Sequence, residues 1–355
     1  MSRSLRLAAH RTVSAQLARR SDQQLRELLE TAAPLGTGIG GTVALLRLDG
    51  VPVFVKKVPL TDLERRPEHT RSTANLFDLP AFYHYGVGSA GFGAWRELAV
   101  HEQTTDWVLS GEADCFPLTY HWRVLDQDAP AVATAPTPEE DRELEDRVAF
   151  WEGSPAVRAR LRALRESTAS VVLFLEHIPH RLGDWLYERV SDGGRTGEQA
   201  CAMVRRELAT GTELMNSRGL QHFDAHFHNV LTDGQRLYFA DFGLALSDRF
   251  DLAEPEAAFL RRHRSYDASY TATRLFNMIV SVEEIGVADT VVRAYADGGN
   301  PGGLPEPLLA TARRLAPVAL AVGGFYRGLR LESRSTPYPS AAVERACADA
   351  GLTSG

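Results

Sequence analysis

Apolar positions along this chain change spacing several times, and the changes mark out its elements. From Ser21 to Thr31, Leu25, Leu28 and Leu29 fall on one face, which predicts a short helix. The texture then alters. Leu35 to Gly41 is glycine-rich, Val43-Ala44-Leu45-Leu46 is strand-like, Asp49-Gly50 is a tight-turn dipeptide and Val51 to Val58 is a second apolar run. A β-hairpin with a glycine-rich start is expected there. Thr61 to Gly93 is irregular, broken by Pro67 and Pro80, whereas Ala94 to Leu109 is helix-compatible and Phe116 to Val124 strand-like. Between Asp126 and Thr168 lies a charged, proline-flanked insertion. Its Thr137-Pro138-Glu139-Glu140 combines a cap residue, a proline for the first helical position and a glutamate that closes a capping box, so a helical excursion is predicted. Val171 to Leu175 is a short buried strand that proline stops just past Glu176-His177-Ile178. Gly197 to Ser217 carries Met203, Val204, Leu208, Leu214 and Met215 at helical spacing, with Gly219 as a C-terminal cap. Val230-Leu231 and Leu237 to Ala240 flank Asp233-Gly234 as a small hairpin, and mostly helix is expected beyond Glu254.

Composition narrows the class. A chain of 355 residues suits two domains or one two-lobed enzyme, and 44% hydrophobic with 24% charged residues is ordinary globular usage. No apolar run approaches the ~18 residues of a membrane span, so no membrane insertion is expected. Cys115, Cys201 and Cys347 are odd in number and scattered, which argues against a disulfide framework and for a reducing, cytoplasmic setting. The Arg-rich stretch from Ser2 to Arg20 has no continuous apolar core of a secretory signal. An Arg-rich amphipathic start also suits a transit peptide, but Arg and Ala abound throughout this chain. A net charge of −7 argues against a broad nucleic-acid surface. Of 39 basic residues other than histidine, all but Lys56 and Lys57 are arginine, and both lysines sit in one predicted strand.

The chemistry-bearing residues have a telling spacing. In His222-Phe223-Asp224-Ala225-His226-Phe227-His228-Asn229, Asn229 lies five residues after Asp224, and Asp241-Phe242-Gly243 follows twelve residues later. An HxDxxxxN match with a nearby DFG coincides by chance in about one chain in 10⁴ to 10⁵ of this size. Gly36, Gly38, Gly41 and Val43 match GxGxxGxV, in which glycines let a backbone bring its amides close to phosphates. With 29 glycines in the chain, that pattern alone arises by chance about 0.2 times per chain and is weak. A dinucleotide-binding alternative fails locally, because strand follows the glycines where that fold needs a helix.

Together these motifs resemble the protein-kinase-like superfamily over about residues 30 to 280. The resemblance implies an α+β, bilobal fold with a β-rich N-lobe and a mainly helical C-lobe. Residues 1–30 would form an N-terminal helical extension, 31–178 the N-lobe with a helical insertion near 126–168, and 179–355 the C-lobe with the catalytic loop. It implies an ATP-dependent and Mg2+-dependent kinase. Lys56 would bridge the α and β phosphates and pair with a helix glutamate, Glu97 or, as the next candidate, Glu102. Phe54 would face adenine, and Glu176 to Ile178 would offer it backbone groups from a hinge between the lobes. Asp224 would orient or deprotonate the acceptor hydroxyl, and Asn229 and Asp241 would hold Mg2+ through oxygen. His222 would tie the loop to the metal-binding turn. His226 stands where aminoglycoside phosphotransferases carry histidine, and it would contact the phosphoryl group.

The motifs divide over the acceptor. The complete glycine-rich loop and Asp241-Phe242-Gly243-Leu244-Ala245 resemble Ser/Thr protein kinases, which favours a protein or peptide hydroxyl. His226 and the short stretch from Asp241 to Glu254-Pro255-Glu256 resemble small-molecule kinases acting on an antibiotic or metabolite. A pseudokinase is disfavoured because the main catalytic residue types are present. One rival ignores the kinase pattern: in a strand, His222, Asp224, His226 and His228 would share a face like the ligands of a metallohydrolase.

Overall fold

The computed structural model describes residues 2–38, 41–126, 137–281 and 287–352. The chain is α+β and divides into two compact units. One comprises Met1–His177, Phe242–Ala245 and Phe250–Pro255, and the other Ile178–Asp241, Leu246–Arg249 and Glu256–Gly355.

The first unit opens with helices α1 (Arg3–Ala18) and α2 (Asp22–Glu30). Ser21 and Gln24 close a reciprocal capping box on α2. Strands β1 (Ala33–Gly38), β2 (Gly41–Leu48) and β3 (Val51–Leu60) follow. Asp49 and Gly50 both take left-handed φ, which a two-residue hairpin turn between β2 and β3 requires. The short helix α3 (Asp62–Arg65) and two 3-10 turns lead to α4 (Ala94–Ser110), then β4 (Thr119–Asp126). Helices α5 (Pro138–Phe150) and α6 (Pro155–Arg165) precede β5 (Ala169–Glu176). The five strands form one antiparallel sheet in the order β1-β2-β3-β5-β4, so β5, buried along its whole length, lies between β3 and β4. Helix α4 covers one sheet face, packing Ala94, Trp95 and Leu98 against Val58, Leu60, Val171, Leu173 and Leu175.

The expected helix in the insertion forms where its capping box lies, from Thr137 and Glu140 into α5. Residues 127–136 of the insertion lie outside the described residues. The irregular span 61–93 is not a loose connection. Leu79, Tyr83 and Phe92 from it share a core with Leu144, Val148 and Trp151 of the α5 region and Val157 and Leu161 of α6. Glu64 joins these parts. Its carboxylate accepts the Thr61 N–H, caps the start of α4 at the Ala94 N–H (2.8 Å) and takes a 2.8 Å ion pair from Arg160 of α6.

The N-terminal helix is built into this unit. Arg6 of α1, 1% exposed, reaches Glu176 with Nε and Nη2, both at 2.8 Å, and also donates to the Asp114 and Phe116 carbonyls. The same Glu176 carboxylate accepts the Leu118 N–H at 3.0 Å. Periodicity does not show this, because the partner lies 170 residues away.

The second unit begins with β6 (His180–Arg181), α7 (Leu182–Asp192) and α8 (Gly194–Ser217), followed by β7 (Leu220–Gln221), β8 (Val230–Thr232), β9 (Leu237–Phe239) and β10 (Leu246–Ser247). Helices α9 (Glu254–Arg262), α10 (Tyr266–Ser281), α11 (Asp289–Ala296), α12 (Glu306–Leu331) and α13 (Ser340–Asp349) complete the chain. Two small sheets pair β10 with β7 and β6 with β8 and β9. Helix α10, buried along most of its length, packs against α8 and α12. By length and composition α12 is long and apolar enough to cross a membrane, contrary to the expectation that no segment would be. Half of its apolar window is buried in this unit, and it packs against α10, α11 and α13.

Arg6→Met is expected to lower stability by about 3–5 kcal/mol in urea unfolding, because it strands a buried carboxylate. Adding Glu176→Leu should recover much of that loss.

Candidate active site

The loop from His222 to Asn229 joins β7 to β8 as a series of turns. Its anchor is Asp267 in the first turn of α10. This carboxylate is 2% exposed and accepts two consecutive backbone N–H groups, from His222 at 2.5 Å and Phe223 at 2.9 Å. Burial raises its pKa to about 6, although the two N–H bonds pull it down. Phe223 needs the anchor, because its φ of +62° costs a bulky residue about 1–2 kcal/mol. Its fully buried ring also packs against Phe259 at 5.4 Å and Tyr266 at 5.0 Å. The left-handed residue turns the chain so that Asp224, next in line, is 20% exposed at its side chain while Phe223 stays in the core.

Beyond Asp224 the loop is tied by its own hydrogen bonds. The Asn229 amide group donates to the Asp224 carbonyl at 3.0 Å and to its Oδ2 at 3.1 Å. His226 Nε2 is 3.8 Å from Asp224 Oδ2, and His226 Nδ1 accepts the His228 N–H at 3.2 Å. Burial lowers the His226 pKa to about 4, aided by Arg274, His228 and His222 and opposed by Asp241. His226 is therefore neutral at pH 7, and His228 is exposed.

The hairpin β8–β9 brings the two expected metal ligands to one end. Val230 pairs with Phe239 and Thr232 with Leu237, and the Ala240 N–H donates to the Asn229 carbonyl at 3.0 Å. Asn229 therefore leaves one strand opposite the point where Ala240-Asp241 leaves the other. His222 strengthens the junction: its Nε2 donates to the Ala240 carbonyl at 2.9 Å while its Nδ1 accepts the Asp224 N–H at 3.3 Å. Asp241 has φ +63° and is half-buried. An amide oxygen and a carboxylate are hard donors, which fits Mg2+ completing its shell with phosphate and water.

In the first unit, Lys56 of β3 makes a 2.7 Å ion pair with Glu97 of α4, both side chains being nearly buried (6% and 3% exposed). Glu102 instead binds Arg71 and the Trp122 indole. Lys57 points to the opposite face and is exposed. His101, one turn beyond Glu97, lies 3.9 Å from its carboxylate and edge-on to Phe242 at 5.0 Å.

The glycine-rich segment is a hairpin with Gly38 opposite Gly41 and Gly36 opposite Val43. Its Ile39 and Gly40 lie outside the described residues. The glycines differ in role. At Gly41 a Cβ would fall 2.0 Å from the Lys57 carbonyl oxygen, so only glycine lets β2 pair with β3. Gly36 and Gly38 face open space. Val43 is directly paired with Lys56.

At Glu176 the N–H donates to the Leu118 carbonyl at 2.7 Å and the carboxylate pairs with Arg6. Ile178 is 8% exposed and opens the second unit.

No protein-family model matches this chain, and no curated protein sequence matches it. Its chemistry has to be argued from the residues themselves. The strand-face metallohydrolase alternative loses its premise: residues 222–229 are turns, both ring nitrogens of His222 are engaged, and among the described residues no three His, Cys, Asp or Glu side chains gather as a metal site. Asp267 was missed in the sequence. The available signal was an acidic residue one position into an apolar helix, where Asp has no reason to be buried unless it accepts hydrogen bonds.

The His226 shift has a definite sign. Its folded pKa lies below the free value of 6.5, so its share of stability is whole above pH 6.5 and falls as pH drops through about 4, by at most about 3 kcal/mol. Histidine-resolved NMR titration of the ligand-free protein should find two rings neutral to below pH 5, those of His226 and His263, of which one is absent from His226→Gln.

Proposed function

We propose that this chain is an ATP-dependent, Mg2+-dependent phosphotransferase with a bilobal protein-kinase-like fold, acting on a hydroxyl group. The observation that carries this is the buried Lys56–Glu97 pair. A buried ion pair contributes little net stability, and replacing one by apolar residues is often neutral or favourable. Its position within β3, in a chain whose basic residues other than histidine are all arginine apart from Lys56 and its neighbour Lys57, is explained by a need for a compact, fixed ammonium. Further support comes from Asp224, Asn229 and Asp241 with the loop and hairpin that hold them.

In this mechanism Lys56 binds the α and β phosphates, held by Glu97, while amides of the glycine-rich hairpin lie along the triphosphate. Mg2+, when bound through Asn229 and Asp241, screens the phosphate charge. Asp224 orients the acceptor hydroxyl, whose oxygen bonds to the γ-phosphorus as the bond to the β–γ bridging oxygen breaks. ADP leaves, and the hydroxyl proton passes to the Asp224 carboxylate. Catalysis rests on positioning and charge neutralisation. Neutral His226 beside Asp224 would donate a hydrogen bond to the transferred group through Nε2.

We favour a Ser or Thr hydroxyl of a protein or peptide as acceptor, on the complete glycine-rich loop and the Asp241 to Ala245 motif. One observation favours a small-molecule acceptor instead. After Ala245 the chain enters the two-residue strand β10, and α9 begins at Glu254, which leaves little chain for docking a peptide.

Incubation with γ-labelled ATP and Mg2+ should label a member of a peptide library or of an aminoglycoside and metabolite panel. Asp224→Ala should cut the rate by about 10³-fold or more with ATP affinity kept, whereas Lys56→Met should weaken ATP binding as well. Full activity in Asp224→Ala, or activity that requires zinc, would contradict the assignment. The glycines give a separate check. Gly38→Ala should fold normally and bind ATP more weakly, and Gly41→Ala should melt at a lower temperature because it breaks β2–β3 pairing.

A further inference from the structure

The stretch that follows Asp241 is held from the span between β3 and α4. His84 is fully buried, and its Nδ1 donates to the Leu244 carbonyl at 2.8 Å. Its ring is stacked on Phe92 at 3.7 Å. Gly91, at φ +77°, runs so close to Gly243 that a Cβ would lie 2.8 Å from the Gly243 carbonyl oxygen. Farther along, the Thr73 hydroxyl accepts the Asp251 N–H at 2.9 Å. Arg96 of α4, 2% exposed, lies over both Phe92 and Phe250 and donates through Nε to the Thr73 carbonyl at 2.7 Å. These contacts span residues 243 to 251 and come from residues that the proposed mechanism does not use.

We propose that the 61–93 span is a clamp on the metal-binding turn, and that His84 is a positioning residue for Asp241. This rests on the phosphotransferase assignment. Asp241 is a non-glycine residue at φ +63°, a conformation that persists only where neighbours over-determine it. The Ala245 N–H closes a turn on the Phe242 carbonyl at 3.0 Å, and His84 fixes the carbonyl of Leu244 inside that turn. A group that orients a metal ligand without touching the metal commonly changes metal affinity 10–100-fold on removal. The clamp holds the turn through neutral hydrogen bonds and stacking, so the metal-binding conformation is set by packing and needs no covalent modification.

Three variants test this. His84→Phe keeps the stack and removes the donor, His84→Asn returns a donor near the Nδ1 position, and Thr73→Val removes one acceptor from a partly exposed site without changing shape. Hydrogen exchange of amides 242–251 is measured in the full-length protein without ligand, and Mg2+-dependent ATP binding is measured by titration with no acceptor present. In His84→Phe, exchange over 242–251 should rise and half-maximal ATP binding should need about tenfold more Mg2+, and His84→Asn should recover most of both. Thr73→Val should raise exchange near Asp251 alone, which keeps the clamp testable if His84→Phe does not fold. Unchanged exchange in His84→Phe and Thr73→Val overturns the clamp. Faster exchange with an unchanged Mg2+ requirement overturns the positioning role. If the wild-type protein binds no ATP, the phosphotransferase assignment falls, and the exchange measurements still judge the clamp.

Discussion

A buried carboxylate must be given hydrogen-bond donors, and this chain meets that demand by running its critical backbone past its buried acids. Asp267 takes two successive N–H groups of the loop that carries Asp224. Glu64 takes the first amide of the helix that carries Glu97, and Glu97 itself takes the ammonium of Lys56. Glu176 takes Arg6 together with the Leu118 amide. Each of these carboxylates is at most 4% exposed, so each would cost several kcal/mol if left alone. The Asp224 loop and the Lys56–Glu97 pair are therefore fixed by electrostatics.

Strain lies where these anchors are. Among the described non-glycine residues with positive φ, Phe223 and Asp241 stand directly before and within the motifs that carry the chemistry. Both conformations turn a polar side chain away from the core while an aromatic neighbour stays in it: Phe223 beside Asp224, and Phe242, 1% exposed, beside Asp241. Asp267 supports the first. The second is flanked by the hairpin bond from Ala240 to Asn229 before it and the His84 bond to Leu244 after it.

What could be read in the sequence was local chemistry. Capping boxes at Ser21 and Thr137, the Asp49-Gly50 turn and the small hairpin around Asp233-Gly234 are all determined within a few residues, and they form where their residues stand. The Asp224, Asn229 and Asp241 spacing was legible because one loop and one hairpin span it. Lys56 pairs with Glu97, whereas Glu102 is taken by Arg71 and Trp122. Illegible features were those whose partners are remote. Arg6 looked like one more arginine in an Arg-rich start, and its acceptor is 170 residues on. The span 61–93 looked irregular because its apolar residues match no single period; they pack against α5 and α6 and against the turn after Asp241. The role of Asp267 depends on a loop that precedes it by 44 or 45 residues.

The account as a whole requires Lys56 and Asp241 to serve one triphosphate. A crystal structure of the full chain with Mg2+ and a non-hydrolysable ATP analogue tests this directly. The expected result places Lys56 Nζ within hydrogen-bond distance of the α or β phosphate, still paired with Glu97, with Asn229 and Asp241 bound to Mg2+ on the same nucleotide. Nucleotide bound away from Lys56, or Lys56 and Asp241 separated by the body of the protein, would contradict it.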